Sequence, residues 1–148
     1  MASVSVGQEA PDFTLRNESN QEVTLLSLRG APVVLVFYPL DFSGFCTSEM
    51  CAIRDDYSAF QDKGATVFGI SRDSVFTHKA FIEKEGLTHS LLADMKGNVA
   101  QLYGCWNEAV GTAERMTVVI DKDGIISYVI HNNAGQVRDH REAVAALG

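Results

Sequence analysis

Cys46, Cys51 and Cys105 are the three cysteines of this 148-residue chain, and Cys46 stands in the more unusual setting. It closes the segment Pro39-Leu40-Asp41-Phe42-Ser43-Gly44-Phe45-Cys46. The continuous apolar run from Pro32 to Tyr38 before it reads as a fully buried strand. Pro39 cannot donate a ladder hydrogen bond and so punctuates that strand. Ser43 is a natural helix cap, which puts Cys46 in the first turn of the helix that follows. Unpaired backbone N–H groups and the positive end of the helix dipole favour a thiolate there. A thiolate is the nucleophilic form of cysteine, so the pattern predicts a reactive sulfur rather than a packing residue.

One reaction suits these surroundings closely. To reduce a peroxide, a thiolate must attack one oxygen in line with the O–O bond, and charge then develops on the departing oxygen. A hydroxyl three residues before the cysteine can accept from one peroxide oxygen and donate to sulfur. First-turn N–H groups add donors, and a guanidinium from elsewhere would hold thiolate and peroxide together.

Pro39-x-x-x-Ser43-x-x-Cys46 resembles the signature of the peroxiredoxins, in which a proline, a threonine or serine and a cysteine have this spacing. Two distant segments strengthen the likeness. Ala10-Pro11-Asp12-Phe13-Thr14-Leu15 is similar to the family's N-terminal strand, and Arg115-Met116-Thr117-Val118-Val119-Ile120-Asp121 to the segment bearing its active-site arginine. The resemblance implies that Cys46 is the peroxidatic cysteine, oxidised to a sulfenic acid. It also implies that Ser43 and Arg115 hold the peroxide, that Pro39 shields the site, and that Glu49 pairs with an arginine; Glu49 is equally a first-turn carboxylate favoured by the helix dipole. Serine at position 43 keeps the hydroxyl and loses a methyl relative to the commoner threonine.

The same resemblance implies hydroperoxide substrates, no cofactor, and thioredoxin, glutaredoxin or mycoredoxin as reductant. Tyr103-Gly104-Cys105-Trp106-Asn107-Glu108 and Gly135-Gln136-Val137-Arg138-Asp139 look like the alkyl hydroperoxide reductase E type, whereas a second cysteine five residues after the first resembles the bacterioferritin-comigratory, or Q, type. Arg138 is read as an exposed residue of a C-terminal helix, with a second arginine near the site as the alternative.

Geometry constrains Cys51. On an ideal helix, residues five apart have Cα atoms about 8.7 Å apart, and a disulfide spans about 7 Å at most. Either the first turns unwind in each cycle, or Cys51 is structural and an external thiol resolves the sulfenic acid. Terminal turns fray at low cost, which favours Cys51 as the resolving cysteine. Cys105 is read as a buried hydrophobe. Two other functions stay open on this fold: a disulfide oxidoreductase, which would use Cys-x-x-Cys rather than Cys-x-x-x-x-Cys, and a redox-sensing or holdase-type interaction protein.

The elements that must position these residues alternate along the chain. Met50, Ile53, Tyr57 and Phe60 have helical spacing between Ser43 and Lys63, and Gly64 stops that helix. Ala65 to Ser71 is a second buried strand, Ser74 to Glu85 a helix, Ser-Leu-Leu-Ala-Asp a short strand, and Asn98 to Tyr103 a short helix. Asp-Lys-Asp-Gly between two β-rich runs signals a hairpin, and Val137 to Leu147 reads as the last helix. This order predicts an α/β protein with a thioredoxin-like fold, a central mixed β-sheet with helices on both faces, forming one domain over residues 1–148.

The net charge of −7, from 12 basic and 19 acidic residues, speaks against nucleic-acid or anionic-membrane partners. No apolar run reaches the roughly 18 residues of a membrane span. No signal peptide is read at the N-terminus, so the expected location is cytoplasmic. No metal site is expected. The four histidines lie too far apart for a zinc motif, no further Cys/His pair accompanies Cys46 and Cys51, and a calcium loop starting at Asp121 would put Ile126 and Asn132 where glycine and glutamate are needed. Leu40, Phe42, Phe45 and Trp106 are read as core or homodimer-contact residues, with an apolar collar for alkyl hydroperoxides as the alternative.

Overall fold

Two short strands, β1 (Thr14–Asn17) and β2 (Glu22–Thr24), make a hairpin ahead of the apolar run, which forms β3 (Val33–Phe37). The computed structural model describes residues 3–132 and 138–148. After β3 come α1 (Gly44–Asp55), α2 (Tyr57–Gln61), β4 (Thr66–Ser71), α3 (Val75–Glu85), β5 (Ser90–Ala93) and α4 (Asn98–Tyr103). A small ladder of β6 (Trp106–Asn107) and β7 (Thr112–Ala113) leads into the long hairpin of β8 (Arg115–Ile120) and β9 (Ile126–Asn132), and α5 (Arg141–Ala146) closes the chain.

Among the described residues, seven strands form one sheet in the order β2-β1-β5-β4-β3-β8-β9. The strands β3, β4 and β5 run parallel, and β8 pairs antiparallel with β3. Every residue of β3 is buried because both faces of the sheet are covered, which is why its sequence is continuously apolar instead of alternating. One face packs α1, α2, α3 and α5 through Cys46, Met50, Phe60, Phe81 and Ala143 onto Val34, Val36 and Tyr38. The other carries the N-terminal segment and α4 on Leu35, Phe37 and Met116. At Gly69 a Cβ would lie 2.6 Å from Leu91 Cδ2 and 3.1 Å from Tyr38 Cε1, so glycine there lets the Tyr38 ring lie close over β4.

The expected architecture is present, with local departures. The helix expected from Ser43 to Lys63 breaks at Asp56 (φ −107°, ψ 18°), whose carboxylate meets His140 Nε2 at 3.0 Å. The redirected chain buries Phe60, its ring 6.1 Å from that of His140. The last helix begins at Arg141, and Val137, where it was expected to begin, lies outside the described residues. The turn at Asp121 is the expected hairpin: Asp121 Oδ1 accepts the Asp123 and Ile125 N–H groups at 2.9 and 3.0 Å.

Candidate active site

β3 delivers the chain to the edge of the helical layer, and Tyr38 to Ser43 turn it into α1. Phe42 in that turn has φ +67°, a left-handed backbone that a bulky aromatic adopts only when its neighbours hold it. Ser43 is the residue before α1 in extended conformation, as expected of a cap, but its hydroxyl donates to the Leu40 carbonyl at 3.0 Å instead of accepting from the helix. Cys46 is the third residue of α1, fully buried beside Val36, Tyr38 and Met50.

Glu49, one turn beyond Cys46 on the same helix face, is buried and holds two arginines. Arg115 Nη1 donates to its Oε1 at 2.6 Å. Arg138 donates to Oε1 from Nη2 at 2.7 Å, to Oε2 from Nε at 3.1 Å, and to Oε2 from its backbone N–H at 2.7 Å. Its Nη1 also reaches Thr117 Oγ1 at 3.2 Å. Burial pushes the Glu49 carboxyl up, but the hydrogen bonds and charge of Arg138, with Arg115 behind them, hold it below the usual carboxylate range. Two guanidiniums against one carboxylate leave one net positive charge along the helix face that carries Cys46. Such an arrangement favours negative charge that develops on an oxygen departing there. Arg115 is the first residue of β8, one position beyond the Met116–Phe37 pair, so the sheet itself brings it to the carboxyl end of β3.

Arg138 corrects the reading of an exposed helical residue. Its side chain is 4% exposed and it precedes α5. Sequence spacing gave no sign of this because the partner, Glu49, is 89 residues away. A second outcome concerns Trp106, which packs against the core and Gly97 on the opposite face of the sheet from Cys46, in line with the core reading, and so forms no collar with Leu40, Phe42 and Phe45. Those three are exposed, with the Phe42 ring 5.0 Å from that of Phe81. A third feature was not foreseen: Asp41 is buried and hydrogen-bonded to Tyr38 and His78 directly beneath the turn.

The three thiols are free. Cys51 is half-buried on the unbroken α1, and its burial raises its pKa. Cys105 is fully buried in the core of the opposite face, where burial pushes the thiol up to about 12. That is the setting of a small hydrophobe.

A mixed sheet of this order, layered by helices on both faces, is a thioredoxin-like α/β fold. Within it the chain belongs to the AhpC/TSA family, which matches residues 6–129, and it is a peroxiredoxin, a thiol-dependent peroxidase. The alkyl hydroperoxide reductase E of Mycobacterium tuberculosis is 43% identical over 150 residues, covering 97% of this chain and 98% of that protein. The chloroplastic peroxiredoxin Q of Oryza sativa subsp. japonica is 42% identical, over 93% of this chain and 63% of that protein. Among solved structures, peroxidoxin BcpB from Mycobacterium tuberculosis superposes with a TM-score of 0.87 at 32% identity, over 96% of this chain and 95% of that one. The reduced 2-Cys peroxiredoxin of Plasmodium vivax gives 0.88 at 30% identity, over 96% and 79%.

Proposed function

We propose that Cys46 is the peroxidatic residue and that the protein reduces hydrogen peroxide and organic hydroperoxides in the cytoplasm. The Cys46 thiolate attacks one peroxide oxygen, the O–O bond breaks, and the departing oxygen takes a proton and leaves as water or an alcohol. Cys46 is left as a sulfenic acid. Ser43 and Arg115 hold the peroxide, and Pro39 shields the sulfur. The carrying observation is the placement of Cys46 in the first turn of α1, one turn before a buried glutamate that binds Arg115 at 2.6 Å.

Resolution then falls to Cys51: its thiol displaces hydroxide from the Cys46 sulfur, water leaves, and a disulfide forms. A dithiol donor of the thioredoxin, glutaredoxin or mycoredoxin kind takes the disulfide back to two thiols. One observation favours a second reading. Both cysteines lie within one continuous helix, whose ideal geometry keeps their Cα atoms about 8.7 Å apart. If that helix never opens, an external thiol resolves the sulfenic acid directly.

Stopped-flow mixing of the reduced protein with hydrogen peroxide and with a bulky hydroperoxide tests the proposal. Cys46→Ser is expected to abolish turnover with both while leaving the circular dichroism spectrum intact. Substantial turnover by the pure variant would overturn the assignment of Cys46.

A further inference from the structure

We infer that Asp41 is a positioning residue for Cys46, the keystone of a buried relay of Tyr38, Asp41 and His78 that fixes the turn from which α1 starts. The inference rests on the peroxidase reading of Cys46 and concerns a residue that touches no reacting atom. Asp41 lies between Pro39 and Ser43, yet it is 7% exposed, and Tyr38 and His78 are fully buried. A buried carboxylate is costly unless its oxygens are satisfied, and here both are. Tyr38 donates its hydroxyl to Oδ1 at 2.5 Å, and His78 Nδ1 lies 2.7 Å from Oδ2.

The chemistry of His78 shows how tightly the relay is closed. Its Nε2 is 3.0 Å from the Leu92 carbonyl, which can only accept, so Nε2 carries hydrogen. The opposite nitrogen meets Asp41 Oδ2 at 2.7 Å, so both ring nitrogens are engaged. The backbone N–H of Asp41 donates to Asp73 Oδ2 at 2.8 Å, and Asp73 in turn accepts from Ser71 Oγ at 2.5 Å. Asp41 is thus tied to the ends of β3 and β4, to α3 and to β5 at once.

What this secures is the next residue. Phe42 holds a left-handed backbone at φ +67°, which persists only when the surroundings over-determine it. Ser43 and Gly44 then set the axis of α1, and the Cys46 sulfur is placed by that axis. An error of an ångström in a nucleophile costs up to about a hundredfold in rate. Both oxygens of Asp41, Oδ2 of Asp73 and both ring nitrogens of His78 have hydrogen-bond partners, so these residues serve to hold the chain.

The test reads two rates in variants whose circular dichroism spectra match wild type, because general unfolding would also slow oxidation and speed alkylation. Asp41→Ala removes both acceptor oxygens and leaves the Tyr38 hydroxyl and His78 Nδ1 without their partner. Single-turnover oxidation of Cys46 by hydrogen peroxide is expected to slow at least about tenfold. Alkylation of reduced Cys46 by iodoacetamide, followed by peptide mass spectrometry, is expected to rise about threefold because the buried sulfur is exposed more often. Tyr38→Phe, which removes only the hydroxyl, is expected to shift both rates the same way and less, and it carries the test if Asp41→Ala does not fold. Peroxide and iodoacetamide rates matching wild type in folded variants would overturn the inference, as would both rates falling together. Wild-type protein that leaves peroxide untouched would instead overturn the peroxidase reading beneath it.

Discussion

At the scale of single residues, the site is organised by one carboxylate. Glu49 binds Arg115 through one oxygen and Arg138 through both, so the two arginines are fixed relative to each other and to α1. They are not equivalent. Arg115 enters from the first residue of β8, at the end of β3 where α1 begins, whereas Arg138 spends its backbone N–H and three side-chain hydrogen bonds on Glu49 and Thr117. Arg115→Ala is expected to slow peroxide attack by at least about tenfold, roughly 1.4 kcal/mol of barrier. Arg138→Ala is expected to cost less, because Arg115 keeps its bond to Glu49. Single-turnover rates of both variants check this, and an Arg138→Ala defect larger than that of Arg115→Ala would reverse the roles. Cys46, Ser43 and Arg115 were legible in the sequence because each belongs to a compact motif. Arg138 was legible only as the alternative reading and Asp41 not at all: their meaning is set by Glu49 and His78, which only the folded sheet brings to them.

At the scale of elements, α1 serves two opposed demands. Intact, it buries Cys46, Met50 and Ile53 and presents Cys46 beside the Glu49 cluster. Yet its ideal geometry holds Cys46 and Cys51 about 8.7 Å apart and turned about 140° from each other, beyond the roughly 7 Å a disulfide allows. If Cys51 resolves Cys46, peroxide must convert the reduced protein to an intramolecular disulfide with loss of helix across residues 44–51, seen as faster amide exchange there. Cys51→Ser should keep the first attack fast while the sulfenic acid persists and over-oxidises. Mass spectrometry after one equivalent of peroxide decides between the readings. A wild-type Cys46 sulfenate with Cys51 still alkylatable would identify an enzyme that depends on an outside thiol. Spacing alone showed this conflict, because both cysteines fall within one helical pattern. The break at Asp56 was hidden by the same pattern, since Tyr57 and Phe60 keep helical spacing across it.

At the scale of the whole molecule, the parallel strands β3 and β4 and the hairpin of β8 and β9 were readable because buried strands and a tight Asp-Gly turn leave strong local marks. Strand β2 and the small ladder of β6 and β7 were not, being only two or three residues per strand. The helical layer also hides a titrating group whose effect is global. His89, between α3 and β5, is buried beneath α1 with Nε2 3.3 Å from Met50 Sδ and no hydrogen-bond partner at Nδ1. Burial lowers its pKa from 6.5 to about 4, so the folded protein keeps it neutral. The unfolded chain binds the proton first as pH falls, and stability must therefore decline between pH 6.5 and about 4, and not above that window. The full loss is about 3 kcal/mol, of which about 2 kcal/mol has gone by roughly pH 5. His89→Leu removes the proton site while keeping an apolar side chain. Urea unfolding at about pH 7.5 and about pH 5 should then show the wild type losing about 2 kcal/mol more than the variant between the two conditions. Equal losses in the two proteins would mean that His89 takes up its proton in the folded state, and that the layer over the sheet opens to water at this point.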